Sequence, residues 1–228
     1  MEETQFVCYN CAEVFDKKYS TKEHIPARNL SDVLSSEYKK NRITVLCCED
    51  CNKSYSSLDE EFRNWIGTMN NNDEFSEISG KTVKSIHRKD KALNRVSFLP
   101  NGLIGVKFKK KDIENYHIKN FKGLFYHEYN LPIKNSNYTF LVNFEDGVQQ
   151  NRQLFIDYLN LFKWKKSGHD DVFQYSIQPF NIQVFNENIK KTDNIPLDDL
   201  LNEENSDMFV AIMRYNKQHG VLVIAQRK

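Results

Sequence analysis

Short runs of apolar and polar residues in the second half of the chain predict strands. The segments are YTFLVNF (138–144), VFQYSI (172–177), MFVAIMRY (208–215) and GVLVIAQ (220–226). Asn216 to Gly220 supplies turn residues between the last two, which predicts a terminal hairpin. A helical period in NRQLFIDYLNLFKW (151–164) predicts one amphipathic helix among the strands. Residues 96–228 are therefore predicted to form an α+β domain.

Residues 81–109, which precede the strands above, predict a basic helix followed by a hairpin. In residues 95–109, apolar and polar residues alternate on both sides of the pair Asn101-Gly102, and this pair favours a tight turn between two strands. In KTVKSIHRKDKALNR (81–95) the basic residues recur every three or four positions, at Lys81, Lys84, Arg88, Lys91 and Arg95. A helix would align them along one side, which suits phosphate groups, although solvated helix faces also have this pattern. We assign residues 67–95 to a connector and a basic helix.

Composition and charge narrow the class of protein. The chain has 228 residues, of which 39% are hydrophobic and 28% charged, so it can bury a core and is long enough for two units. Net charge is only +1, so a polyanion would have to be met by a local basic patch. The sequence predicts no membrane span and no signal peptide, and a cytoplasmic location is expected.

Cysteine spacing predicts a metal centre near the N-terminus. Cys8 and Cys11 form one CxxC pair, and Cys48 and Cys51 form another. Two such pairs supply the four thiolates of a structural zinc site, whereas disulfides are uncommon where thiols are kept reduced. Cys47 lies outside this spacing and is expected to pack as a small apolar residue.

The segment between the two pairs is longer than the roughly 15 to 20 residues of a zinc ribbon. It contains the motif Glu23-His24-Ile25-Pro26 and then a predicted strand, RITVL. Together with VLCCEDCN and SYSSLDEEF, these motifs resemble the HNH endonuclease superfamily, also called ββα-metal or treble-clef nucleases. One branch of this superfamily also has a characteristic segment further along the chain, and KNFKGLFYHEYNLP (119–132) is similar to it. The resemblance implies an α+β protein with a zinc-stabilised ββα-metal nuclease unit at residues 1–66.

The same resemblance implies catalytic roles. His24 would be the general base, because an unperturbed imidazole has a pKa of about 6.5 and is largely neutral at pH 7. Glu23 and Asn52 would hold Mg²⁺ or Mn²⁺ through oxygen, the ligand atom that hard cations prefer. If the chain after Cys51 is helical, Asn52, Ser56 and Asp59 share one face, so Asp59 is a candidate third ligand.

The expected substrate is nucleic acid, with DNA favoured by the resemblance. Similar proteins of this size are often associated with toxicity or defence and act with a second protein. The C-terminal domain would either grip nucleic acid or bind such a partner. The alternative function is a non-catalytic zinc treble-clef module that binds nucleic acid or protein. A scaffold of that kind has no need for a base and oxygen ligands that converge, so Glu23, His24 and Asn52 discriminate between the two hypotheses.

Replacing Lys84, Arg88 and Lys91 together by Glu should weaken nucleic-acid binding and flatten its salt dependence. Each lost phosphate contact lowers the slope of log K against log salt by about 0.9 for B-DNA. Fluorescence anisotropy over a salt series measures the slope, and circular dichroism checks that folding survives. An unchanged slope would identify the stripe as a solvated helix face.

Overall fold

The computed structural model describes residues 4–31, 36–69, 76–88, 95–98, 100, 104–144, 164–180, 208–217 and 219–228. Its helices are α1 (Glu49–Met69), α2 (Ser76–Arg88) and α3 (Lys110–Tyr129). The strands of the first half are β1 (Gln5–Val7), β2 (Val14–Asp16), β3 (Ser20–Ile25), β4 (Ile43–Cys48), β5 (Val96–Phe98) and β6 (Ile104–Val106). Those of the second half are β7 (Tyr138–Phe144), β8 (Lys165–Lys166), β9 (Phe173–Phe180), β10 (Met208–Tyr215) and β11 (His219–Arg227). The predicted α+β class is confirmed.

Two small hairpins and a long helix form the N-terminal part. β1 pairs with β2, and β3 pairs with β4 so that Ser20 faces Cys48 and Ile25 faces Ile43. α1 follows β4 directly, and the carboxylates of Glu49 and Asp50 in its first turn suit the positive end of the helix dipole. The order β3, β4, α1 is therefore a ββα arrangement, with α1 packed against both strands.

The described C-terminal strands form one antiparallel five-stranded sheet in the order β7-β11-β10-β9-β8. β10 is buried at seven of its eight positions because neighbours cover it on both edges and both faces. The turn to β11 begins with Asn216 and Lys217 at positive φ, as a tight hairpin requires. This confirms the predicted strands and the predicted terminal hairpin.

α3 differs from a surface helix because its middle is buried on all sides. Its buried positions include every residue from Lys119 to Phe125. α3 contacts α1, β3 and β4 of the N-terminal part and also β7 and β11 of the sheet. It ends at Asn130, which adopts the left-handed conformation and donates its backbone N–H to the carbonyl of Tyr126 at 2.8 Å. α3 is thus the element that joins the two parts.

An aromatic seam continues the core across this junction. The ring of Phe62 in α1 stacks on that of Tyr116 in α3 at 3.7 Å between centroids, and it lies 4.9 Å from the ring of Tyr215 in β10. Asn120 donates its amide to the Tyr215 hydroxyl at 2.8 Å. The domain boundary expected at residue 66 lies inside α1, which continues to Met69. The buried cluster therefore includes residues from both predicted domains.

The described residues cover the predicted basic helix only in part, since residues 89–94 lie outside them. α2 ends at Arg88, and Arg95 lies just before β5, where its guanidinium binds the carboxylate of Glu61 at 2.6 Å. The expectation that Arg95 continues a helical stripe was therefore wrong, because an ion pair with α1 holds this residue. The Glu61 side chain is only 13% exposed. β5 and β6 confirm the predicted hairpin, while its turn residues Asn101 and Gly102 lie outside the described residues. The predicted helix at 151–164 also lies outside them, except for its last residue, Trp164, which is not helical.

No helix in the described ranges has both the length and the apolar character that crossing a membrane requires.

Two helical glycines provide a matched test of how closely α3 packs on β3. A Cβ on Gly123 would lie 2.5 Å from Ile25 Cδ1 and 2.7 Å from Ile25 Cγ1, whereas a Cβ on Gly80 in α2 would meet nothing within 4 Å. Gly123→Ala should therefore lower the free energy of unfolding by about 1 to 3 kcal/mol through overpacking. Gly80→Ala should raise it by up to about 1 kcal/mol through helix propensity. Urea denaturation measures both, and shifts of the same sign would contradict the packing described.

Candidate metal centre and adjoining carboxylate site

Four cysteines from two separate turns converge at the predicted metal centre. The set consists of Cys8, Cys11, Cys48 and Cys51, whose Sγ atoms all lie within 4.8 Å of one another. The first two follow β1, and the other two lie at the junction of β4 and α1. Within the described part of the chain, this is the one group of three or more cysteine, histidine or acidic side chains that could hold a metal ion. The tetrathiolate set is of the kind that holds structural zinc.

Backbone and side-chain donors support the sulfur atoms. The backbone N–H of Cys48 donates to Cys8 Sγ at 3.4 Å, and Asn10 Nδ2 donates to Cys51 Sγ at 3.3 Å. The first turn closes through the Ala12 N–H, which donates to the Cys8 carbonyl at 2.9 Å, with Ala12 at φ 61°. Such donors stabilise thiolates and orient them for one cation.

The fifth cysteine lies beside the cluster without belonging to it. Cys47 is fully buried, and its Sγ is 3.9 Å from Cys8 Sγ. The hydrogen bond between them lowers the pKa of the Cys8 thiol to about 4 and raises that of Cys47. Burial raises the pKa of Cys51 to about 12. Cys47 therefore remains a buried thiol, as predicted, and the ligand cysteines need a cation for all four to be thiolates.

β3 carries the Glu-His pair, and strand alternation sends the two side chains to opposite faces. Glu23 and Ile25 are buried against the helices. His24 lies between them on the other face, half-buried, opposite Thr44 of β4. Beyond the strand, Ser167 accepts a hydrogen bond from the Ile43 backbone N–H at 2.8 Å and donates to the carbonyl of Ile25. The loop after β8 therefore fastens the end of the hairpin that carries His24.

The buried face of the hairpin meets a lysine that the motifs did not indicate. Lys119 Nζ lies 2.7 Å from Glu23 Oε1 and 2.5 Å from Asp59 Oδ1. The Lys119 side chain is fully buried, and those of Glu23 and Asp59 are 6% and 15% exposed. Burial raises the pKa of both carboxyl groups, an effect that the Lys119 ammonium opposes. Glu23 and Asp59, predicted separately as ligands of a hard cation, are thus brought together around one ammonium group.

Asn52, the remaining predicted ligand, lies on α1, the helix that also carries Asp59. Asn52 is half-buried in the first turns of α1, seven residues before Asp59, so the two side chains emerge on one face of the helix. Ser56, which lies between them in that series, is exposed. The predicted helical state after Cys51 is confirmed.

The oxygen atoms of Glu23 and Asp59 suit a hard divalent ion, and the Lys119 ammonium already stands between them as a cation. The structure thus brings the predicted ligands Glu23 and Asp59 together around Lys119, whereas the predicted base His24 lies on the opposite face of β3 from Glu23.

A second buried lysine of α3 reaches the cysteine cluster. Lys122 Nζ donates to the backbone carbonyl of Asn10 at 2.5 Å and to Asn10 Oδ1 at 2.6 Å. Burial lowers the pKa of Lys122 to about 8. Asn10 is the residue that donates to Cys51, so a chain of hydrogen bonds runs from α3 to the thiolates. The signal for both lysines was present in KNFKGLFYHE, where charged residues three apart interrupt an apolar segment.

The predicted nucleic-acid contacts lie partly outside the described residues. Lys84 is exposed on α2, Arg88 is the last residue of that helix, and Lys91 falls in the range 89–94, which the structure does not describe.

No protein-family model, curated protein or solved structure matches this chain. The resemblance to the HNH superfamily therefore stays a prediction from the sequence motifs.

Purified protein should contain about one zinc ion per chain, and Cys51→Ser should lose it and unfold the N-terminal part. The physical reason is that structural zinc contributes roughly 10 to 16 kcal/mol to the folding of small zinc domains. Cys47→Ala is the matched control, because it removes a neighbouring buried thiol that is not a ligand and should keep the zinc. Elemental analysis and thermal melting measure both. If the wild-type protein contains no zinc and its melting temperature does not change with chelators, the predicted metal centre is wrong.

Proposed function

We propose that the protein is a metal-dependent HNH-type endonuclease that hydrolyses phosphodiester bonds of nucleic acid. The observation that carries the proposal is the ββα unit of β3, β4 and α1, in which the Glu23-His24 pair lies on a hairpin held between two cysteine turns. Hydrolysis of a phosphodiester requires a base for the attacking water and a fixed frame that aligns it with the phosphate.

His24 is assigned as the general base. Its imidazole is half-buried on the face of β3 opposite Glu23. The backbone on either side of this position is fixed by pairing with β4 and by the hydrogen bonds of Ser167 at the strand end. His24 would accept the proton from the water that attacks phosphorus, and the rigid strand keeps the imidazole nitrogen in place for that transfer.

Glu23 and Asn52 are assigned as ligands of Mg²⁺ or Mn²⁺, with Asp59 as the third oxygen ligand. When bound, such an ion neutralises the negative charge that develops on the phosphate oxygens. Zinc has the structural role, since thiolates hold this softer ion whereas carboxylate and amide oxygens hold hard ions. The two kinds of donor keep the two metals apart.

DNA is the proposed substrate, with Lys84, Arg88 and Lys91 contacting its phosphates. We further propose that the five-stranded sheet and α3 support the nuclease unit and offer a surface to a protein partner.

A second candidate function is a non-catalytic zinc module that binds nucleic acid or protein. One observation favours it: Glu23 and Asp59 already have a cation within the chain, the Lys119 ammonium, and need no metal to be satisfied. In this function, the Glu-His pair would only be part of the hairpin.

His24→Ala should abolish cleavage of a supercoiled plasmid in Mg²⁺ or Mn²⁺ while zinc content, melting temperature and nucleic-acid affinity stay near wild type. A general base acts on water in the transition state and supports neither the zinc nor the fold. Asn52→Ala should instead raise the concentration of Mg²⁺ needed for half-maximal rate.

His127→Ala is the matched control, because it removes an exposed histidine of α3 and should cut at the wild-type rate. A folded His24→Ala variant that nicks the plasmid as fast as wild type would exclude the nuclease and leave the binding module.

A further inference from the structure

The ammonium group of Lys119 occupies a closed position at the meeting point of three elements. It binds Glu23 of β3 and Asp59 of α1, and the lysine itself comes from α3, 60 residues after Asp59. The rings of Tyr55 and Tyr116 lie 5.0 and 5.7 Å from Nζ, within the range of cation–π contact. Two carboxylates and two aromatic faces therefore surround one cation.

One ammonium group serves two carboxyl groups at this position. The three groups lie in a region where water is largely excluded, and burial raises the pKa of both carboxyl groups. If the ammonium departed, neither carboxylate would have a cation beside it, which is unfavourable for buried charges. Glu23 and Asp59 therefore need a cation at this position to remain ionised together.

We propose that Lys119 determines which cation the Glu23–Asp59 pair holds. Its ammonium is the resident cation, and a divalent ion binds these oxygens only when the ammonium leaves them. This role rests on the proposed function, in which the same carboxylates are metal ligands, and it adds a residue of α3 to the site.

Electrostatic competition is the physical basis. A divalent ion on Glu23 Oε1 and Asp59 Oδ1 would lie within hydrogen-bond range of the ammonium, and like charges at that separation repel strongly in a low-dielectric region. Removing the lysine charge leaves two carboxylates facing each other, an arrangement that attracts a hard divalent ion. Lys119 thus lowers the affinity of the site for such an ion in the resting protein.

Lys122 offers a matched comparison within the same helix. It is also a buried lysine, 2% exposed, and it lies three residues after Lys119. Its ammonium binds Asn10 beside the cysteine cluster and contacts neither Glu23 nor Asp59. A change that follows loss of the Lys119 charge but not of the Lys122 charge therefore reports on the carboxylate pair and not on the packing of α3.

The experiment measures binding of Mn²⁺ alone to the zinc-loaded full chain, by electron paramagnetic resonance and without nucleic acid. Lys119→Met, which keeps an unbranched apolar stem without the ammonium, should bind Mn²⁺ at least about tenfold more tightly than wild type, because a positive charge has been removed from the site. Mn²⁺ should also raise the melting temperature of this variant more than that of wild type.

Three further variants define the result. Lys119→Arg and Lys122→Met should bind Mn²⁺ like wild type, and adding Glu23→Gln to Lys119→Met should abolish the gain. Equal or weaker binding by Lys119→Met, or an equal gain in Lys122→Met, would overturn the proposal. Should Lys119→Met fail to fold, ¹⁵N-lysine spectra of the wild type decide: the Lys119 Nζ signal must shift or vanish as Mg²⁺ is added, and an unchanged signal overturns the proposal.

The readout separates this role from nuclease activity, because His24→Ala should not alter the Mn²⁺ gain. If the protein cuts DNA but Lys119→Met binds Mn²⁺ no more tightly than wild type, the proposed nuclease function stands and the proposed role of Lys119 is wrong. If Lys119→Met binds Mn²⁺ more tightly but the protein cuts no nucleic acid, the competition between Lys119 and the divalent ion stands and the proposed nuclease function is wrong.

Discussion

A buried ammonium group must be paired, and this constraint determines how α3 meets the rest of the protein. Lys119 and Lys122 lie in the most buried part of the helix, and each has oxygen partners in the N-terminal part. Removing one partner of such a pair would leave a buried charge, at a typical cost of about 3 to 5 kcal/mol. The helix therefore has one arrangement in which both lysines are satisfied. In that arrangement Gly123 allows the backbone to approach Ile25 of β3.

The cysteine cluster imposes the second constraint. It joins the turn after β1 to the junction of β4 and α1, and the long segment between the two cysteine pairs has room for the β3–β4 hairpin. The hairpin is thus held at its base by the cluster and near its other end by Ser167. His24 lies between these two fixed points, so its position depends on the cysteine cluster of the N-terminal part and on Ser167 of the C-terminal part.

α3 contacts the cysteine cluster and the Glu23–Asp59 pair through separate lysines, one for each. Lys122 acts through Asn10, which also donates to the sulfur of Cys51, whereas Lys119 binds the carboxylates of Glu23 and Asp59 directly. This division matches the chemistry of the donors, because thiolates suit a soft structural ion and carboxylates suit hard cations or an ammonium. A helix from the C-terminal part of the chain is consequently an integral part of both centres.

Local patterns in the sequence determined the longer strands of the sheet, the terminal hairpin and the four cysteines of the cluster. Alternation, turn residues and CxxC spacing report on interactions between near neighbours, so they could be interpreted without a fold. The burial of α3, the continuous core across α1 and the meeting of Glu23 with Asp59 were decided only by the tertiary structure. Lys119 lies 60 residues from Asp59 and farther still from Glu23, and no local period connects residues so distant. A lysine in an amphipathic context predicts a solvated side chain, and only the two carboxylates brought to it by β3 and α1 make its burial favourable.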